Sequence, residues 1–238
     1  MVFPIACRAI LDKSLPTGGV GMMEHMTQNE ESSQKAASSV SASPGGIHKQ
    51  PLPLDDIRAL VEACHRCDLC EGRTQVVFGA GNPHADVLIV GEAPGKNEDL
   101  QGEPFVGAAG KFLNELLDSA NLKREDVFIA NVIKCRPPGN RNPRADEIEA
   151  CADFLREQTR TINPKVIVTL GNFATQFIMK TGIGITHLHG TIHQVGRFTV
   201  MPVYHPAAAI YDRAKRDVLF EDFAQVGRVV RELSAQAC

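Results

Sequence analysis

Apolar residues along this chain follow two rhythms, and from Pro51 onward the rhythms alternate. In LDDIRALVEACHRC (54–67), Leu54, Ile57, Leu60 and Val61 recur at helical spacing, and Asp55 and Asp56 sit in the first turn, where carboxylates suit the helix dipole. The pattern predicts a helix running into the cysteines. DVLIVG (86–91) reads as a short buried strand, and GAAGKFLNELLDSA (107–120) as a helix with Phe112, Leu113, Leu116 and Leu117 on one face. DVFIAN (126–131) is a second strand, followed by a helix over 142–162 with Asn142 as N-cap and Pro143 at its first position. KVIVTLG (165–171) is a third strand, NFATQFIMK (172–180) a helix, FTVMPVYHP (198–206) a fourth strand, and 216–235 a terminal helix.

Strands of four to six apolar residues alternating with helices imply a parallel sheet covered on both faces. The predicted fold class is therefore α/β: a three-layer α/β/α sandwich with a central, mainly parallel four-stranded sheet, spanning residues 51–238. Ligands of such sheets bind outside the carboxyl ends of the strands. Three predicted strand ends carry unusual residues: GEAPG after the first, Asn131 at the second, and His205-Pro206 at the last.

Residues 1–50 break this pattern. SSQKAASSVSASPGG reads as low-complexity linker and predicts a disordered extension, within which Met22, Met23 and Met26 leave room for a later start. The opening MVFPIACRAILDKSL is interrupted by Arg8 and Asp12, so no secretory signal is expected, and no apolar run reaches membrane-spanning length. A cytoplasmic, monomeric protein is the expectation. The net charge of -3 supplies no general attraction for nucleic acid, so any such case rests on local basic clusters.

The chain has seven cysteines, an odd number that argues against a disulfide framework in a non-secreted protein. Cys64 and Cys67 lie in one turn, with Cys135 and Cys151 further along, so four thiolates from separate segments would converge on one metal centre. Zinc and an iron-sulfur cluster are not distinguished by this spacing. The plainer alternative is that Cys135 and Cys151 are small buried hydrophobes. Cys70 is a spare.

The glycine-rich turn after the first strand fits neither familiar phosphate cradle. Gly110-Lys111 has Phe105 where a P-loop needs glycine and Phe112 where it needs serine or threonine, and Gly91 is followed by Glu92 and Ala93 rather than a spaced glycine. Glu92, Glu98, Asp99 and Glu103 would also repel a triphosphate. A helix N-terminus near Gly107–Gly110 still suits a single backbone phosphate. Basic residues gather in KCRPPGNRNPR (Lys134, Arg136, Arg141, Arg144) and DRAKR (Arg213, Lys215, Arg216), both just after strand ends, where phosphate contacts would position a nucleic acid. His187, His189 and His193 read as exposed positions of a hairpin and receive no role; His205 at the crevice rim is the histidine to watch.

Three motifs, GEAPGKNEDLQGEPFVGAAGKFLNELL, NVIKCRPPGNRNP and HPAAAI, with the four cysteines, closely resemble the family-4 uracil-DNA glycosylases, which carry a [4Fe-4S] cluster. The resemblance covers Cys64 to the terminal helix. It implies a hydrolase that releases uracil from uracil-containing DNA, single- or double-stranded, leaves an abasic site, and passes it to downstream base-excision-repair proteins. By resemblance, Phe105 would stack on the flipped base, Asn131 would read its Watson-Crick edge, and His205 would donate to O2 as charge develops there. Glu92, Ala93 and Pro94 would line the pocket, with Ala93 where other uracil glycosylases carry a water-positioning Asp, and Glu92 as the nearest carboxylate to the water. Glu98 would sit against C5 and exclude a thymine methyl; Cys64, Cys67, Cys135 and Cys151 would bind the cluster; Ile210 and Tyr211 would wedge into the duplex. Two alternatives stand beside this reading: a non-catalytic iron-sulfur module that binds nucleic acid, and a superfamily member with shifted base preference.

Overall fold

The computed structural model describes residues 50–210 and 212–236. Residues 1–49, which hold the predicted extension, and Tyr211 of the predicted wedge lie outside the described residues. Strands β1 (Ala80–Gly81), β2 (Val87–Gly91), β3 (Phe128–Asn131), β4 (Val166–Leu170), β5 (His193–Val195) and β6 (Phe198–Val203) form one sheet in the order β1-β3-β2-β4-β6-β5. The four strands predicted from the apolar runs are its parallel centre, β3-β2-β4-β6. Two short antiparallel strands, β1 and β5, are added at the edges.

Each central strand is buried on both sides because alternate residues pack against different helix layers. Val87 and Ile89 join Leu113 and Leu116 of α4 (Ala108–Ser119) and Phe223 and Val226 of α9 (Arg213–Ala235). Leu88 and Val90 join Ile57 and Val61 of α1 (Leu54–Glu62), Leu155 of α5 (Ala145–Ile162) and Ala174 of α6 (Gly171–Met179). Short helices α2 (Leu69–Gly72), α3 (Lys96–Gln101), α7 (Ile185–Leu188) and α8 (Pro206–Ala209) complete the layers. Among the described residues, no helix is long and apolar enough to cross a membrane.

Two helix starts and one loop segment differ from the sequence prediction. Helix α5 begins at Ala145, not at Pro143, because Glu147 reaches back to accept the Arg144 N–H at 2.7 Å and makes Arg144 the N-cap. Helix α9 starts earlier than predicted, at Arg213, since the Asp212 carboxylate accepts the Lys215 N–H at 3.3 Å. The histidine-rich 187–193 segment is a hairpin only in part: exposed His187 belongs to α7, His193 opens β5, which pairs antiparallel with β6, and half-buried His189 stacks on Tyr204 with its Nδ1 3.2 Å from the buried Asp222 carboxylate.

From β2 the chain passes to β3 on one side and then crosses to β4 on the other. The carboxyl ends of β2 and β4 therefore flank a topological switch point, the place where open α/β sheets form a crevice.

Candidate active site and cysteine cavity

A cleft of roughly 500 Å³ opens at that edge of the sheet, and Glu92, Ala93, Pro94, Glu98, Phe105, Asn131 and His205 all line it. Strand register places Gly91 directly beside Asn131. Pairing continues past the strands, with Val132 N–H donating to Gly91 O at 2.9 Å and Ile133 N–H to Glu92 O at 3.2 Å, so the GEAPG turn is moored to the chain after β3. Gly91 has to be glycine here. A Cβ would collide with Asn131 Oδ1 and reach Phe105 Cε2 at 2.8 Å.

Asn131 is 2% exposed, and among the described residues its Oδ1 has no hydrogen-bond partner. A buried amide oxygen left unpaired costs about 1–3 kcal/mol, so the cleft holds a preformed acceptor awaiting a ligand N–H. Phe105 takes a left-handed backbone, φ 54°, which is strained for a phenylalanine. Three contacts hold it there. Glu98 Oε1 accepts the Val106 and Gly107 N–H groups, each at 2.9 Å; Arg124 Nη2 donates to Pro104 O; and Gly110 leaves room for the Phe105 carbonyl. Glu98 is thus a bonded strut of the phenylalanine turn rather than a solvated loop carboxylate. Its neighbour Asp99 is buried and accepts the Thr74 N–H at 2.9 Å.

The His205 and Phe105 rings lie 5.7 Å apart between centroids, tilted by 30°. His205 Nδ1 accepts the Ala207 N–H at 3.1 Å, capping α8, which places the ring proton of the neutral form on Nε2. Burial lowers the imidazole pKa to about 4, against the opposing pull of Glu98, so the ring is neutral at pH 7. Burial acts oppositely on Glu92, whose carboxyl is raised above its ordinary value.

The basic runs are less available than their sequence suggests. Lys134 is not on the surface at all: it is 1% exposed. Arg141 and Arg144 pair with Glu147, Arg144 also with Asp68 and Asp146, Lys215 with Asp212, and Arg216 with Glu115. Arg141 nevertheless lines the mouth of the cleft, together with Asn140 and Asn142. Ile210 is exposed just after α8.

A second cavity lies behind the sheet edge, between the α1–α2 turn and α5, and it gathers Cys64, Cys67, Cys70, Cys135 and Cys151. All four cysteines of the predicted set are present, and the spare Cys70 lines the same space. Among the described residues, no three His, Cys, Asp or Glu side chains meet at single-ion distance. Three cations share the cavity wall: Arg66, Arg73 and Lys134. Arg73 Nη1 donates to Cys135 Sγ at 3.4 Å, and the Lys134 N–H donates to Cys151 Sγ at 3.3 Å. The Arg66 guanidinium lies 4.1 Å over the Phe154 ring, while its buried Nε and Nη2 find no acceptor among the described residues. Burial pushes the Cys151 thiol up to about 12 and raises Cys135 and Cys67 as well. These arginines and the buried lysine escaped sequence reasoning, because a cation between two cysteines reads as surface charge until the fold is known.

A family model of the uracil DNA glycosylase superfamily matches residues 78–227, and the chain belongs to that superfamily. Its relatives place it more narrowly, beside the type-4 branch. A type-4 uracil-DNA glycosylase of Archaeoglobus fulgidus is 47% identical over 184 residues, covering 74% of this chain and 92% of the relative. That of Sulfurisphaera tokodaii is 46% identical, covering 73% and 83%, and that of Thermotoga maritima 42% identical, covering 72% and 92%.

Proposed function

We propose that this chain is a monofunctional uracil-DNA glycosylase that takes uracil out of single- or double-stranded DNA, hydrolyses its N-glycosidic bond and leaves an abasic site. It would act as a monomer in the cytoplasm and hand its product to downstream base-excision-repair proteins. The observation that carries the reading is the buried, unpaired Asn131 Oδ1 at a cleft also lined by Phe105 and His205.

Uracil offers an N–H at N3 and an acceptor at O4. Asn131 would accept the first with Oδ1 and donate its amide N–H to the second. Cytosine presents the reverse pattern at these positions and would leave the buried amide badly paired. Phe105, fixed by its strained turn, would stack on the base. As the bond to the sugar breaks, negative charge collects on the departing ring, and His205 Nε2–H would meet it at O2. A neutral donor suits this task because it needs no proton uptake. Glu98 would act on the pocket through the turn that it braces, and from there close the C5 side. Glu92, at the cleft wall beside Ala93 and Pro94, would orient the water.

The cysteine cavity fits a [4Fe-4S] cluster held by Cys64, Cys67, Cys135 and Cys151. Support comes from the orphaned Arg66 donors, which call for acceptors such as thiolate or sulfide, and from Arg66, Arg73 and Lys134, which offset the charge of four thiolates. When bound, the cluster would supply no step of a hydrolysis; it would cross-link the 64–67 turn to the 135–151 region. Cys70 would remain free.

The test is release of base from uracil-containing oligonucleotides, with thymine, hypoxanthine and mismatch controls. Uracil release is expected, and Asn131→Ala should lose at least about 100-fold in rate. An undiminished Asn131→Ala enzyme would sink the assigned edge reading, and wild-type protein that binds but never releases uracil would favour a non-catalytic module.

A further inference from the structure

The cleft and the cysteine cavity meet at one side chain that the proposed reading of the base does not use. Lys134 stands three residues after Asn131 and immediately before Cys135. Its Nζ donates to the Asn131 carbonyl at 2.9 Å and to Gln158 Oε1 at 2.6 Å, while its own N–H donates to Cys151 Sγ. Gln158, also buried, is oriented in turn by its Nε2, which donates to Phe78 O at 2.9 Å. Both acceptors of the ammonium are neutral. Burying a cation on neutral acceptors is costly, while an apolar side chain of equal length would leave the buried Asn131 and Gln158 oxygens without this donor. Packing therefore does not account for a lysine.

The hydrogen bonds do. The peptide unit joining Asn131 to Val132 is gripped at both ends: its N–H donates to Gly91 O and its carbonyl accepts from Lys134 Nζ. Fixing that plane fixes where the Asn131 side chain leaves the backbone. Asn131 needs such a brace, because among the described residues its Oδ1 is held by no bond of its own.

We infer that Lys134 is a positioning residue for base recognition, bracing the Asn131–Val132 peptide from behind with Gln158 steadying its ammonium, and tying the base-reading amide to the cysteine cavity through its own N–H on Cys151. The inference rests on Asn131 reading the uracil edge. It differs from a role in the cysteine cavity alone, since the effect should appear in how tightly the pocket holds the base.

Lys134→Met keeps the length and removes the donor. Four quantities are measured: iron and sulfide per chain, the thermal midpoint, kcat and KM on uracil DNA, and inhibition by free uracil. The expected result is a folded protein with wild-type iron content, kcat/KM down about 10- to 100-fold, and free-uracil inhibition weakened in parallel. In an Asn131→Ala background the same substitution should cost less than about 2-fold, because the group it positions is gone. Gln158→Leu, which removes one acceptor, should move uracil inhibition in the same direction by a smaller factor, and it carries the test if Lys134→Met does not fold. Unchanged uracil inhibition in the folded variant overturns the inference. So does an undiminished loss on top of Asn131→Ala, or a loss of activity that tracks loss of iron. Wild-type uracil release together with an impaired Asn131→Ala enzyme shows that the functional reading stands even where this inference falls.

Discussion

His205 enters the cleft as a neutral imidazole with its Nε2–H held ready, and that state has a pH signature. Burial carries its pKa from 6.5 down to about 4, so between those values the unfolded chain binds the proton and the folded chain does not. Stability is full above 6.5 and is lost as pH falls toward 4, while the ring itself stays neutral and able to donate over the same window. Glu92 moves upward from 4.5, so it protonates before His205 as acid is added. The acid limb of kcat on single-stranded uracil DNA should therefore follow Glu92, above its ordinary carboxyl range, and shift downward in Glu92→Gln. A limb at or above pH 6.5 that persists in Glu92→Gln would contradict the neutral histidine. Gly91→Ala tests the neighbouring wall. The added methyl strikes Asn131 Oδ1 and the Phe105 ring, so we expect about 1–3 kcal/mol of destabilisation in urea melts and kcat/KM down about 100-fold. Asn131 and His205 were legible in the sequence because each sits at a strand end, and Phe105 through the PFVG motif of the resemblance. Lys134 was not: its charge says surface, and only the fold puts it behind β3.

The helix α5 joins the loop at the cleft mouth to the cysteine cavity, and its first turn decides whether it can. Glu147 is fully buried, pairs with Arg141 and Arg144, and accepts the N-cap amide. Its hydrogen bond with Arg141 brings the carboxyl pKa down to about 2 from 4.5. A carboxyl lowered in the folded state contributes stability that is complete above 4.5 and is lost as pH falls toward about 2. Glu147→Gln should remove this acid dependence and lower the melting midpoint by roughly 4–8 °C. Cys151 lies one turn further along the same helix, so occupancy of the proposed cluster should fall too, read by colorimetric iron assay; a variant with unchanged midpoint and iron would show that the turn is held by other contacts. The existence of α5 was plain from its periodicity. Its start was not, because Asn142-Pro143 is a good helix opening in isolation and the Glu147 carboxylate, by accepting the Arg144 N–H, defers it. The central strands were equally plain as apolar runs, whereas β1 is Ala80–Gly81, too short for any alternation to show.

The sheet divides the molecule into two cores of different character. On one side, α4 and α9 close over Leu113, Leu116, Phe223 and Val226 with apolar packing. On the other, Cys135 and Cys151 are themselves part of the core, packed with Ile57, Val61 and Leu155 of α1 and α5. The cleft lies along the edge where both layers meet the strand ends, so its walls draw on both. Glu98 and Phe105 come from the α3–α4 side, and Asn131 is backed through Lys134 by the cysteine side. Removing the proposed cluster from the native protein should then act unevenly. Under anaerobic chelation, hydrogen exchange should accelerate over 64–73 and 133–151 and extend to the amide of Val132, while α4, α9 and β6 keep their protection. Uracil release should fall as Val132 loses protection, and free-uracil inhibition should weaken with it. Equal acceleration on both faces would mean that the two cores unfold as one unit. Acceleration confined to the cysteine segments, with Val132 and uracil inhibition unchanged, would mean that the base-reading edge stands without support from the cavity behind it.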